Sequence, residues 1–367
     1  MSLLSLDVSR CVRTSNKFAI CNDCVTACPI DIILINEENN LPSFVPNDCV
    51  GCGGCLAACP DEAYSLDDFN ALDYIFSFLE SDKNIVSCKD DIPCIAALST
   101  EEMLSLAILA PEKLRFNRSF CSECDIAKKN EAIIDERVDE VNFLLEAMEV
   151  KKEILFEVIE STQEKEKSPS SRRDFLSKLN VEEAVKVKQN FENEVEARDE
   201  FLKEHIATIE DIQSIRQKKI PNRRKLLGMA MKRVDEPSQF HRIESEDITF
   251  TSQKVLDENT CTNCQMCYRI CPTGALQSDN HGSFIDFTAS ECIKCHSCHD
   301  VCEPDALTLS PVFDLKNLFK PEQQRLAKFD LRRCNECGMP FIYSGGEVIC
   351  TRCRIEEEEA NELWEMK

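Results

Sequence analysis

The chain has 367 residues, 43% of them hydrophobic, with 67 acidic against 43 basic side chains and a formal net charge of −24. That length allows two or three domains. The charge argues against nucleic acid or anionic lipid as partners and favours proteins with basic docking faces, with solubility alone as the alternative. No apolar run approaches the roughly 18 residues of a membrane span. The opening MSLLSLDVSRC has neither a basic n-region nor an apolar h-region, so the chain is expected to be cytoplasmic, without membrane insertion. The 24 cysteines, mostly in CxxC-like spacing, favour ligation of metals or clusters in a reducing compartment over disulfides.

In chain order, the first cysteine group runs from Cys11 to Cys59. Cys21, Cys24, Cys28, Cys49, Cys52, Cys55 and Cys59 recur 243 residues on as Cys264, Cys267, Cys271, Cys292, Cys295, Cys298 and Cys302, which marks a duplicated unit. Between the cysteine runs of the first copy, Asp31–Val45 alternates like a hairpin with a polar turn at Glu37–Asn40. Leu72–Cys88 reads as a helix leading into a strand, the start of a small α/β unit. Ser99 and Glu102 form a capping box that opens an amphipathic helix. This helix is expected to bring Cys94 to the same side as the Cys121–Cys124 pair.

From Asn130 to Arg233 the sequence lacks cysteine and is rich in Glu and Lys. Ile134, Val138, Val141, Leu145, Met148, Leu155 and Ile159 alternate by fours and threes, interrupted by Lys152, and Phe191–Ile212 is a looser run. Both predict long amphipathic helices separated near Ser168–Ser171, forming a bundle or hairpin between the copies, with a partner-binding coiled coil as the alternative. Pro221 predicts the start of a third, short helix. Ser171–Leu176 and Asn222–Leu227 each contain an arginine pair like that of an export motif. Both are internal and lack an h-region, so they read as basic helix starts that offset the acidic bulk or dock a partner.

In the second copy, Cys261–Pro272 has the form C-x2-C-x2-C-x3-C-P, and Cys292–Cys302 repeats the spacing with Glu303 before Pro304. Gly274–Phe287 reads as a second hairpin. These runs resemble the bacterial eight-iron ferredoxin family, in which three close cysteines hold one 4Fe-4S cube and the fourth reaches the other. The resemblance assigns Cys261, Cys264, Cys267 and Cys302 to one cube, and Cys271, Cys292, Cys295 and Cys298 to another. In the first copy it assigns Cys28, Cys49, Cys52 and Cys55 to one cube, and Cys21, Cys24 and Cys59 to the other. There the position matching Cys261 is Phe18, which cannot bind iron. Cys11 is expected to loop back as the missing ligand; the rival is a three-cysteine site, such as a 3Fe-4S cluster. His296 and His299 are expected at the surface.

Two further groups remain. Cys88, Cys94, Cys121 and Cys124 are similar in order to the small iron–sulfur subunit associated with heterodisulfide reductases and hydrogenases. That resemblance implies a 2Fe-2S centre, with zinc an equal alternative. Cys334, Cys337, Cys350 and Cys353 resemble a zinc ribbon or rubredoxin-like knuckle pair across a hairpin at Pro340–Ile349, with Gly338 and Gly345–Gly346 in the turns; one structural zinc is expected.

The expected architecture is α+β. It comprises a dicluster ferredoxin domain over 1–68, a small α/β unit over 69–128, a helical linker or hairpin over 129–236, a second dicluster domain over 237–315 and a zinc-ribbon-like knuckle over 328–358. The absence of a dinucleotide or ATP motif leaves electron transfer as the expected function, more than a stand-alone enzyme. Up to four 4Fe-4S cubes would pass single electrons between redox enzymes. The resemblance to ferredoxin-type subunits implies a molybdenum oxidoreductase, formate dehydrogenase or hydrogenase as partner. The alternatives are a redox-enzyme accessory or assembly factor, and a reductase subunit acting through the Cys88–Cys124 region.

Overall fold

The computed structural model describes residues 4–81, 83–88, 92–158, 218–343 and 345–363. Strands and helices mix throughout, around two similar modules. In the first, Leu4–Leu6 pairs antiparallel with Tyr64–Leu66, joining the two ends of the module, and Leu34–Ile35 pairs with Pro42–Ser43. The second module repeats both ladders: Lys254–Leu256 with Leu307–Leu309, and Leu276–Gln277 with Phe284–Thr288. Both expected hairpins therefore form. Asn40 takes a positive φ of 57° in the first turn and Gly282 one of 71° in the second. The second hairpin gains a third strand, Gln323–Lys328, on its Phe284–Thr288 side.

Ile85–Val86, Leu114–Asn117 and Ile154–Glu157 form a parallel three-stranded sheet. Parallel neighbours need crossovers, supplied by helices Thr100–Leu109 and Ala127–Ala147. The capping box is complete, with Ser99 Oγ accepting from the Glu102 N–H and the Glu102 carboxylate accepting from the Ser99 N–H. The helix it opens is not amphipathic, however. All residues from Thr100 to Ile108 are buried, because helices Ala71–Glu80, Ala127–Ala147 and Asn222–Met231 pack around it.

The fours-and-threes run does not continue as one helix. It stops at Ala147, and Leu155 lies in a strand. The end is a Schellman motif: Val150 N–H donates to Leu145 O and Glu149 N–H to Glu146 O, each at 2.9 Å, with Glu149 at φ 58°. The interrupting Lys152 turns inward, and its Nζ donates to Ile108 O and Ala110 O at the C-terminal end of the central helix. Ile159, the Phe191–Ile212 run, Ser168–Ser171 and the arginine pair of Ser171–Leu176 lie outside the described residues.

Beyond that segment, Asn222–Met231 is helical from Pro221. Its two arginines are buried and join the parts of the molecule; they are not a basic surface. Arg223 donates to Leu56 O and Ala57 O and pairs with Glu62, all in the first module. Arg224 donates to Phe250 O, Ser290 O and Cys292 O beside the second module, and pairs with Glu101 of the central helix. The modules also meet directly. Asn16 Nδ2 donates to Ser297 O, and the Ile20 N–H donates to Asp300 Oδ2.

Near the C-terminus, Pro340–Ile342 pairs with Leu331–Arg333 upstream. Among the described residues of Pro340–Ile349 no second strand pairs with Pro340–Ile342; its ladder flanks the Cys334–Gly338 turn, where Cys334 N–H donates to Met339 O. Thr351–Leu363 is helical. Among the described residues no helix is long and apolar enough to cross a membrane.

Candidate cluster and metal centres

The duplicated motif folds the same way twice. Each CxxC-rich loop runs into a single helical turn, Asp23–Ala27 and Gly54–Ala58 in the first module, Met266–Ile270 and Ser297–Asp300 in the second. The cysteine before proline then leaves in extended backbone, as Cys28 does at φ −75°, ψ 116° and Cys59 at φ −69°, ψ 114°. This directs it to the opposite cavity of its module.

Sixteen thiols thereby line four cavities, four to each. Cys11, Cys21, Cys24 and Cys59 line one, and Cys28, Cys49, Cys52 and Cys55 another. In the second module, Cys271, Cys292, Cys295 and Cys298 line one, and Cys261, Cys264, Cys267 and Cys302 the other. The rest of each wall is mostly apolar, such as Pro60, Ala63 and Tyr64 in the first. Cys11 sits 9% exposed among its three partners, while Phe18, at the position matching Cys261, is 61% exposed on the surface.

These walls disfavour uncompensated negative charge, so the thiols stay neutral unless a cation binds them. Burial first, and neighbouring thiols after it, push Cys267, Cys295 and Cys298 each up to about 12. A bare cavity would hold its protons, and ligation must release them. Backbone N–H groups approach several sulfurs, as the acceptor-rich sulfides and thiolates of an iron–sulfur centre require: Gly51 to Cys49 at 3.4 Å, Ala63 to Cys59 at 3.3 Å and Lys294 to Cys292 at 3.5 Å. Cys292 departs from the others. Burial would raise it, but Lys254, Ser252, the Lys294 N–H and Arg224 together hold it below the usual thiol value.

His299 is half-buried, not at the surface. Its Nδ1 lies 2.9 Å from Leu307 O and its Nε2 2.7 Å from Lys254 Nζ. A carbonyl only accepts, so Nδ1 carries the proton, and Nε2 accepts from Lys254 Nζ. Burial and that lysine push His299 down to about 4. His296 is half-buried too, and burial, then Lys254 and Lys294, lower it.

In the α/β unit, Cys88, Cys94 and Cys121 lie near one another. Burial, then Glu131, Cys88 and Cys94, raise Cys121 to about 11. Burial raises Cys94 to about 11 as well, with Cys52 and Cys88 adding to it. Asn130 Nδ2 donates to Cys94 Sγ at 3.5 Å and also faces Cys52 of the first module. The seam is close: a Cβ on Gly53 would lie 2.6 Å from Ala97 Cβ. Cys124 is exposed, one turn beyond Cys121.

The donor sulfurs of Cys334, Cys337, Cys350 and Cys353 all lie within 4.8 Å of one another, the one such group among the described residues. The Cys337 and Cys350 N–H groups pull Cys334 down to about 6, leaving a thiolate ready for a cation.

Sequence reasoning missed the residues that surround the thiols. Lys254, Arg223 and Arg224 stand outside the cysteine motifs, and an isolated basic residue carries no signal of burial. The arginine pair was the visible hint, misread as surface.

Residues 19–63 and 253–303 each match the family described as 4Fe-4S dicluster domain. The chain is 39% identical over 59 residues to the pyruvate synthase subunit PorD of Methanocaldococcus jannaschii, covering 16% of this chain and 66% of that one. It is 37% identical over 65 residues to the ferredoxin-type protein NapH of Haemophilus influenzae, covering 17% of this chain and 23% of that one. The chain thus spans less than two thirds of either relative's length.

Proposed function

The chain carries two 4Fe-4S dicluster domains of the bacterial ferredoxin type in tandem, and from that premise we infer that it relays single electrons between redox enzymes through four cubes. The observation that carries this reading is the sorting of sixteen cysteines into four four-thiol cavities. Each quartet is taken as the ligand set of one cube, Cys11 included. The cube supplies one-electron chemistry when bound. The chain's own residues orient the thiols, exclude water with apolar walls and donate N–H bonds to sulfur.

The relay is continuous because the two modules are fastened together. Residues 16 and 20, just before Cys21, bond to residues 297 and 300, which flank Cys298. Cys88, Cys94 and Cys121 supply a further metal or iron–sulfur centre beside the cube of Cys52. The four C-terminal cysteines hold a structural zinc, for which four sulfurs within 4.8 Å of one another are suited. The partner is a larger redox enzyme with a basic docking face, complementary to a net charge of −24. A molybdenum oxidoreductase, formate dehydrogenase or hydrogenase fits that description.

A reductive titration of the anaerobic protein followed by EPR tests the reading. Signals from four clusters that reduce and reoxidise reversibly support the relay. Clusters that stay oxidised with every low-potential donor defeat it.

A further inference from the structure

We propose that the cube of Cys271, Cys292, Cys295 and Cys298 has the highest reduction potential of the four, and that the buried charge of Lys254 is a principal cause. The proposal rests on the ligand sets given above.

Adding an electron makes a cube more negative, so buried cations nearby favour its reduced state. Around this cavity they are concentrated. Lys254 is 2% exposed and lines the cavity. Its place is fixed by geometry: its Nζ lies 2.7 Å from the Nε2 of His299, whose Nδ1 is 2.9 Å from Leu307 O. Arg224 donates to Cys292 O at 2.8 Å. Lys294 points its Nζ at Ser245 O and Ile248 O, and its N–H at Cys292 Sγ. Ser252 Oγ lies 3.4 Å from the same sulfur. Lys218, bonded to Tyr268 O, faces both Cys271 and Cys267.

Carboxylates offset part of this. Glu101 pairs with Arg224, Glu140 and Glu246 face Lys294, and Asp300 and Asp23 face His296. Among the described residues, no carboxylate lines this cavity with Lys254. The cavity of Cys11 also has a buried cation, Arg13, 8% exposed and donating to Cys21 O, but Asp23 and Asp61 line that cavity with it. Cys21 faces Asp23, and Arg223 near Cys59 is neutralised by Glu62. Cys55 meets mainly its fellow thiols. Cys261 meets Glu258. The favoured cube also lies at the seam with the first module, so electrons arriving from there collect on it.

The test is an EPR-monitored redox titration of the full chain, purified without oxygen, with iron and sulfide counted in every sample. In Lys254→Met, the cluster that reduces first in the unsubstituted protein should shift to lower potential. Its reduced-to-oxidised ratio at the original midpoint should fall roughly tenfold, as for one charge removed from about 10 Å at an effective dielectric of about 20. The other three midpoints should hold, and Lys254→Arg should restore the first. An unshifted first midpoint, or a shift confined to a cluster that reduces later, overturns the proposal while leaving the cubes in place. If Lys254→Met loses iron, Lys294→Gln carries the same comparison with the same two outcomes. Absence of acid-labile sulfide from the unsubstituted protein would instead overturn the ligand sets.

Discussion

Replacing Arg224 by methionine removes a charge that four acceptors surround. Its Nε lies 2.5 Å from Glu101, and its two terminal nitrogens reach Ser290 O, Cys292 O and Phe250 O at 2.6–2.8 Å. Both members of the ion pair are 6% exposed, so solvent cannot replace the lost partner of Glu101. Breaking such a pair from one side costs about 3–5 kcal/mol, a large part of the about 5–15 kcal/mol that holds a domain together. Anaerobic denaturant unfolding of the cluster-loaded protein measures this. The double variant Arg224→Met/Glu101→Leu should cost less than the sum of its single changes, by about 1–3 kcal/mol, because the stranded carboxylate is gone. A loss under about 1 kcal/mol for Arg224→Met, or costs that simply add, would refute the view of this helix as the fastening between modules.

Three other substitutions address separate sites. Cys11→Ala should lower iron and sulfide by up to about a quarter and alter one EPR signal; an unchanged spectrum would return Cys11 to the status of a free thiol. Gly53→Ala forces a side chain into φ 76° and against Ala97. It should destabilise by at least about 1–2 kcal/mol and perturb the spectrum of the cube of Cys52, whereas a variant of unchanged stability would contradict the close seam. Cys337→Ser should release zinc and melt the Leu331–Ile342 ladder by circular dichroism, with every cube signal retained; loss of a cube signal would place that quartet in the relay instead.

The cavities were legible because the cysteine runs resemble those of the eight-iron ferredoxins, and that resemblance sends the fourth cysteine of each run to the opposite site. Two turns of C-x2-C-x2-C-x3-C can face one another in few ways, and the repeat at one offset doubled the signal. Even Cys11 could be found, since Phe18 left a vacant position and no other thiol lay nearby. The helix end at Ala147 was not legible. A left-handed residue there would be read from glycine, but Glu149 takes the conformation and an apolar periodicity carried on past it. The hairpin between the last two CxxC pairs was misplaced because Gly345–Gly346 looked like its turn, while the ladder formed around Gly338. The arginines of Asn222–Met231 looked solvated because sequence shows charge and not its partners. Their acceptors are mostly backbone carbonyls, which leave no mark on residue identity.

The most direct measurement is the metal and sulfide content of the whole chain purified without oxygen. Four occupied quartets predict about 16 iron and about 16 acid-labile sulfide per chain, a brown absorbance and one zinc. Zinc alone, with neither sulfide nor colour, would contradict the account at its root.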